Sequence, residues 1–163
     1  MNNQTAQDLI DECENDLERI EKIIEVLTST NPAVPFLSKY SIIKTCGTLE
    51  QCFKIIISDF CSQNQNQQIR NYIDITFRES SINPSIDNIH KSLCRFDSNW
   101  NETFKNLLKC DSNKDRIKLS ISSLNNARNQ FAHGGNPGIT FNDVKDYFED
   151  AKTVISYLDQ SVI

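Results

Sequence analysis

An all-α fold is the expectation for this chain, and three observations carry it. Apolar residues recur at helical spacing over long stretches. Four glycines and four prolines in 163 residues are too few for a turn-rich β-sandwich. A hydrophobic content of 38% with 9% aromatic residues is adequate for a helical core. The length fits one compact domain, residues 1–163, able to bury a core without staples, and no repeat or boundary interrupts it. The expected architecture is an up-and-down helical bundle with three long and several short helices.

The first helix is expected from about Thr5 to Thr28, where Leu9, Cys13, Leu17, Ile20, Ile24 and Leu27 fall at helical spacing between charges. Asn31-Pro32-Ala33-Val34-Pro35 interrupts it. A second, strongly apolar helix follows from about Pro35 to Phe60. Its residues Phe36, Ile42, Ile43, Cys46, Leu49, Phe53, Ile56, Ile57 and Phe60 cover well over half the circumference, which makes it central. The polar tract from Ser62 to Gln68 reads as a surface connection or frayed helix start. Ile69 to Glu79 is a short helix, and another runs through Arg95 with Asn83 as its cap and Pro84 at the first helical position. Asn101 to Leu108 is a further short segment. The third long helix is expected from Ser112, where Ser112-Asn113-Lys114-Asp115 resembles a capping box, to about Phe131 or Ala132. Gly134-Gly135-Asn136-Pro137-Gly138 stops it. A last amphipathic helix begins at the cap Thr140, with Asp143 at its third position, and continues to about Val162.

The six cysteines form neither a C-x-x-C pair nor a zinc-like cluster, so no metal site and no cofactor are expected. Cys46, Cys52 and Cys94 fall among apolar neighbours and read as buried free thiols of a reducing compartment. The N-terminus lacks a basic region followed by an apolar one, and no segment approaches the roughly 20 apolar residues that span a bilayer. A soluble, cytoplasmic protein without a membrane partner is expected. The net charge of −5 counts against nucleic-acid affinity spread over the whole surface. Distribution matters more than the sum. From Lys105 to Arg128 the chain carries Lys105, Lys109, Lys114, Arg116, Lys118 and Arg128 against only Asp111 and Asp115. This strip is either a local anion-binding surface or an ordinary solvated helix face.

The strip leads into Ala127-Arg128-Asn129-Gln130-Phe131-Ala132-His133-Gly134-Gly135, which places an arginine and one of only two histidines at the end of a helical pattern. Cleaving RNA needs a base for the 2′-hydroxyl proton, an acid for the leaving 5′-oxygen and a cation for the anionic phosphorane. Imidazole suits the first two tasks and guanidinium the third, without a metal. One imidazole cannot readily be base and acid in the same step, so a single site histidine implies a second copy from a homodimer mate. Ile117, Ile121, Leu124, Arg128 and Phe131 share one helical face. Arg128 therefore sits in an apolar stripe and must be paired, or aimed into a cleft or interface. His133 would lie about 140° from Arg128 on a continued helix. It can join Arg128 only if the helix ends near Ala132 or the partner comes from another subunit. The spacing alone serves equally well for a helix-terminal histidine favoured by the dipole. His90 has no such company and reads as a surface or packed histidine.

The same segment resembles the R-x4-6-H motif of HEPN domains, and Leu124 to Gly135 is closest to the RiboL-PSP-HEPN branch. Thr45-Cys46-Gly47-Thr48-Leu49-Glu50 and the closing helix after Ile139 are similar to that branch too. The resemblance implies a HEPN-type bundle whose homodimer lines one cleft with both motif copies and acts as a metal-independent endoribonuclease. It would leave 2′,3′-cyclic phosphate and 5′-hydroxyl ends, in a toxin or defence effector that an antitoxin or inhibitor protein could restrain. By the same analogy Arg128 binds the scissile phosphate, His133 and its mate shuttle protons, and Asn129 orients the cleft or contacts phosphate. Glu50, at the edge of the central helix's apolar face, is either an acid that pairs with Arg128 or orients His133, or an ordinary surface carboxylate. Lys118 of the basic strip is assigned to substrate. HEPN toxins silenced by a nucleotidyltransferase partner usually carry a tyrosine where this chain has Gly135, so that regulation is disfavoured. The alternative, from a different class, is a non-catalytic helical module that binds RNA or a partner protein through the same cleft.

Overall fold

A computed structural model describes residues 1–28 and 31–163. Seven α-helices and no strand are found among the described residues. In chain order they are α1 (Gln4–Val26), α2 (Val34–Ser62), α3 (Gln67–Ile73), α4 (Ile86–Phe96), α5 (Ser98–Cys110), α6 (Lys114–Ala132) and α7 (Phe141–Ser161). A π-helical turn, Asp74–Arg78, extends α3 and ends where Glu79 N–H bonds the carbonyl five residues back, at Asp74 (2.9 Å). Among these, α1, α2, α6 and α7 each reach 19 residues or more, one long helix beyond the three expected.

The 29-residue α2 is central, as its pattern requires, and packs against α1, α6 and α7. Its residues Ile42, Cys46, Leu49, Phe53, Ile56 and Ile57 are buried, but Phe36, Ile43 and Phe60 are not. A helix 29 residues long outruns the neighbours that could cover it, so its apolar pattern overstates its burial. From α1 the series Ala6, Ile10, Cys13, Leu17 and Ile20 enters the core, and from α7 Val144, Phe148, Ala151, Ile155 and Leu158 do so. Edge-on contacts of Phe77 with Phe53 of α2 (5.5 Å) and Phe96 of α4 (5.0 Å) seat the π-helical turn between those helices. Arg78 ties the same turn to α2 through Asp59 (2.6 Å). The N-terminus of α1 is fixed to the end of α7 by Asp159, whose two carboxylate oxygens accept the backbone N–H groups of Asn2 and Asn3 (2.5 and 2.9 Å).

Caps decide the helix starts, and three differ from expectation. Ser85, not Asn83, caps α4, its hydroxyl accepting from Asn88 N–H (3.2 Å). Asn83 and Pro84 lie outside the helix, where the Asn83 carbonyl instead accepts the Asn88 amide (2.8 Å). No capping box forms at Ser112: α6 begins at Lys114, and the Asp111 carboxylate takes the Asn113 N–H (2.7 Å) in a local turn ahead of it. α5 is longer than the expected segment because Asp97 caps it by accepting from Asn99 N–H (2.6 Å). Cys46 and Cys52 are buried free thiols as expected, whereas Cys94, on the outer face of α4, is exposed. At α7 the Thr140 and Asp143 capping box forms in full.

Candidate functional site

α6 ends as its sequence demands. Gly134 adopts φ +79°, its N–H returns to the Phe131 carbonyl (3.0 Å), and Gly135 N–H bonds the Gln130 carbonyl (2.7 Å). These two reversed bonds satisfy the last free carbonyls, and only glycine enters the left-handed region without strain. A side-chain carbon at Gly135 would stand 2.9 Å from the Gln130 oxygen, so this turn has no room for a tyrosine there. His133 is the closing residue, and its own N–H still bonds the Asn129 carbonyl (3.1 Å).

That bond sets the geometry of the pair. His133 stays on the helical track, one turn beyond Asn129. Within one chain no hydrogen bond or ring contact joins Arg128 to His133, although the helix stops where their meeting required. The His133 imidazole is exposed and has no hydrogen-bond partner among the described residues.

Arg128 lies where the buried stripe of α6 emerges. Ile117, Ile121 and Leu124 are buried, Arg128 is half-buried, and Phe131 is 38% exposed. The guanidinium donates from Nη1 to Asn129 Oδ1 (3.2 Å) and ion-pairs with no carboxylate among the described residues. It lies close enough to Cys46 on α2 for its charge to act on that thiol. Burial nonetheless pushes Cys46 up to about 12, with Arg128 opposing and Glu50 assisting. The thiol is a neutral donor to the Leu124 carbonyl (3.5 Å), a packing contact between α2 and α6.

Glu50 is engaged elsewhere. Its carboxylate meets the buried Lys54 ammonium (2.6 Å), which also donates to the Ser80 carbonyl. Glu50 therefore makes no bond with Arg128 or His133 in this chain, because an i,i+4 lysine reaches it first. The expected basic strip is also divided. Arg116 is held by Asp150 (2.8 Å) and Lys105 by Glu102 (3.1 Å), while Lys118 remains exposed and unpaired among the described residues.

Two surfaces flank the motif. On one side Phe36 (70% exposed), Tyr40 (53%) and Ile43 (39%) form a row along α2, and Phe131 of α6 joins them. The Lys39 ammonium sits over the Phe36 ring (5.5 Å) and the Phe131 ring (5.9 Å), showing that the two helices present one continuous apolar patch. Gly47 prolongs the row, with nothing within 4 Å of a side chain built there. On the other side Lys118, Asn125, Asn126 and Asn129 of α6 line a polar cleft of about 450 Å³ whose far wall, on α4, includes His90. Sequence reading gave His90 no role. The signal for the cleft was the polar row at i, i+4, i+7, i+8 and i+11 from Lys118 through Ser122 to Asn129, which periodicity alone exposes.

The profile of RiboL-PSP-HEPN domains matches residues 8–163, and so takes in the helices, the glycine turn and the arginine and histidine just described. The chain belongs to the RiboL-PSP-HEPN family. No curated protein and no solved structure matches it. As a HEPN domain, it carries the Arg-x4-His spacing with the arginine inside the last turns of α6 and the histidine at its cap. No helix among the described residues is long and apolar enough to cross a membrane.

Proposed function

We propose that this HEPN domain is a metal-independent endoribonuclease whose active site is completed by a second copy of the chain. The observation that carries this reading is the state of Arg128: a half-buried guanidinium with no carboxylate partner among the described residues, at the edge of an exposed apolar patch. A cation so placed is costly unless an anion or an interface satisfies it. The patch of Phe36, Tyr40, Ile43 and Phe131 supplies the interface, and RNA phosphate supplies the anion.

In the dimer, one His133 imidazole takes the 2′-hydroxyl proton as the oxygen attacks phosphorus. The imidazolium of His133 of the partner subunit protonates the departing 5′-oxygen. Arg128 spans the equatorial oxygens of the phosphorane, and Asn129, already bonded to the guanidinium, fixes its direction. The products are a 2′,3′-cyclic phosphate and a 5′-hydroxyl, and no water or metal enters this step. Cytoplasmic RNA cutting of this kind suits a toxin or defence effector held in check by an inhibitor protein.

The test is cleavage of RNA by purified protein in EDTA, with analysis of product ends. His133→Ala should lower the rate by about 10²–10⁴-fold and Arg128→Ala by about 10²–10³-fold. Unchanged cleavage in either variant removes the assigned role. The second reading, a non-catalytic module that binds RNA or a protein, draws on the solvent-facing, unsupported His133 ring. RNA binding without cleavage, little altered in His133→Ala, would decide for it.

A further inference from the structure

The polar cleft between α4 and α6 has a chemistry distinct from the arginine and histidine pair. We propose that it is a nucleoside subsite that accepts one unpaired base of the RNA next to the scissile phosphate. The inference rests on the ribonuclease reading for its RNA, but not for its evidence of a site.

Position comes first. Asn129 lines the cleft and also accepts a hydrogen bond from Arg128 (3.2 Å), so a phosphate held by that guanidinium has the cleft beside it. At about 450 Å³ the cleft is large enough for a base and its ribose.

Asn125 provides the decisive observation. It is only 7% exposed, it lines the cleft, and its side-chain amide has no hydrogen-bond partner among the described residues. The rest of the residue is covered, so the amide meets solvent through the cleft, and an occupant there would take the place of water as its hydrogen-bond partner. The amide offers one acceptor and two donors, the set that a base edge complements.

His90 is prepared in a second way. Its Nδ1 lies 2.8 Å from Oδ1 of the buried Asn101, and an amide oxygen can only accept. The proton is therefore on Nδ1, and in the neutral ring Nε2 is left as an acceptor for whatever enters. The ring is also packed edge-on against Phe104 (5.2 Å), so two contacts from α5 hold its orientation. Asp87 adds a carboxylate and Lys118 an ammonium to the same cleft. Donors and acceptors are thus mixed. A free phosphate ion presents mostly acceptors and would meet the Asp87 charge, whereas the Watson–Crick edge of an unstacked base is uncharged and presents both kinds.

The experiment titrates the full-length protein, wild type and variants, with each of the four 5′-ribonucleoside monophosphates, following backbone amide resonances. Cut sites in single-stranded RNA of random sequence are mapped in parallel. At least one monophosphate should shift the signals of Asn125 and Asn126. Asn125→Ala should weaken that binding by about tenfold, the loss of a paired amide, and flatten the base preference next to the cut. His90→Gln, which keeps an acceptor without the ring, provides a second variant should Asn125→Ala fold poorly, and it too should shift the base preference. Arg128→Ala should slow cutting by about 10²–10³-fold, and any weakening of monophosphate binding that it causes should be the same for all four bases, because the guanidinium meets phosphate and not base. The proposal is overturned if none of the four monophosphates moves these signals, or if cut-site preference is unaltered in both folded cleft variants. Binding that depends on Asn125 in a protein that cuts no RNA would sink the ribonuclease reading instead. It would assign the cleft to a free nucleotide, overturning the RNA half of the proposal.

Discussion

His133 donates its backbone N–H to the Asn129 carbonyl (3.1 Å) and leaves its imidazole exposed, while Arg128, one turn earlier, is half-buried beside Cys46 of α2. No hydrogen bond joins the two side chains within one chain, and the proposed site draws its second imidazole from another copy.

This geometry has a kinetic signature. If the acid and the base are the two His133 imidazoles of a dimer, mixing inactive His133→Ala protein into wild type yields heterodimers with one imidazole. Activity per wild-type chain should then fall, total activity following the square of the wild-type fraction after subunit exchange. A linear decline would mean that each imidazole works alone, and the two-histidine mechanism would be lost.

The apolar patch makes a separate claim about assembly. Tyr40 is 53% exposed, so Tyr40→Asp should cost no more than about 0.5 kcal/mol of fold stability, since it removes nothing from the core. The charge should nevertheless split the proposed dimer. Sedimentation should show the mass of one chain, helicity should be unchanged, and RNA cleavage should fall as far as in His133→Ala. A Tyr40→Asp protein that remains dimeric and active would move the interface elsewhere.

Local chemistry was legible in the sequence, and tertiary pairing was not. The α7 cap was readable because Thr140 and Asp143 need only each other. The α6 stop was readable because Gly134 and Gly135 are the residues its turn requires. The α4 start was misplaced because Asn83 and Ser85 both suit a cap, and which one serves depends on the path of the chain. Glu50 was left open between a site acid and a surface carboxylate, and its partner is the nearest lysine, Lys54, one turn away on its own helix. The contact of His90 with Asn101 joins two helices across a turn, so no spacing within either helix announces it. Exposure of Phe36 and Ile43 was hidden for a similar reason: an apolar row looks the same whether a core or a second molecule covers it.

The helix stop couples stability to activity. Gly134→Ala forces a side chain into φ +79°, at a cost of about 1–2 kcal/mol. The strain falls on the turn that fixes His133, so the rate of cleavage should drop even at temperatures where the variant is fully folded. Gly138→Ala is the control: nothing lies within 4 Å of its added carbon and its φ is not positive, so neither melting temperature nor rate should change appreciably. Equal loss of activity in both variants would show that the loop as a whole, not the left-handed cap, positions the histidine.

The α7 cap predicts a pH dependence with a definite sign. The Thr140 backbone N–H and hydroxyl both donate to Asp143 Oδ2 (2.7 Å each), and these bonds hold the Asp143 carboxyl below its ordinary range, outweighing slight desolvation. A depressed carboxylate stabilises the fold fully above the unfolded value near pH 4, and the contribution disappears as pH falls through the lower folded value. Asp143→Asn should therefore be less stable than wild type at neutral pH by about 1 kcal/mol, the usual worth of a lost cap. The gap should close as acid protonates Asp143 in the wild type. Denaturant midpoints for the two proteins from pH 7 down to about 2 measure this directly. A gap that stays constant over the whole range would mean that the carboxylate charge plays no part in holding the N-terminus of α7.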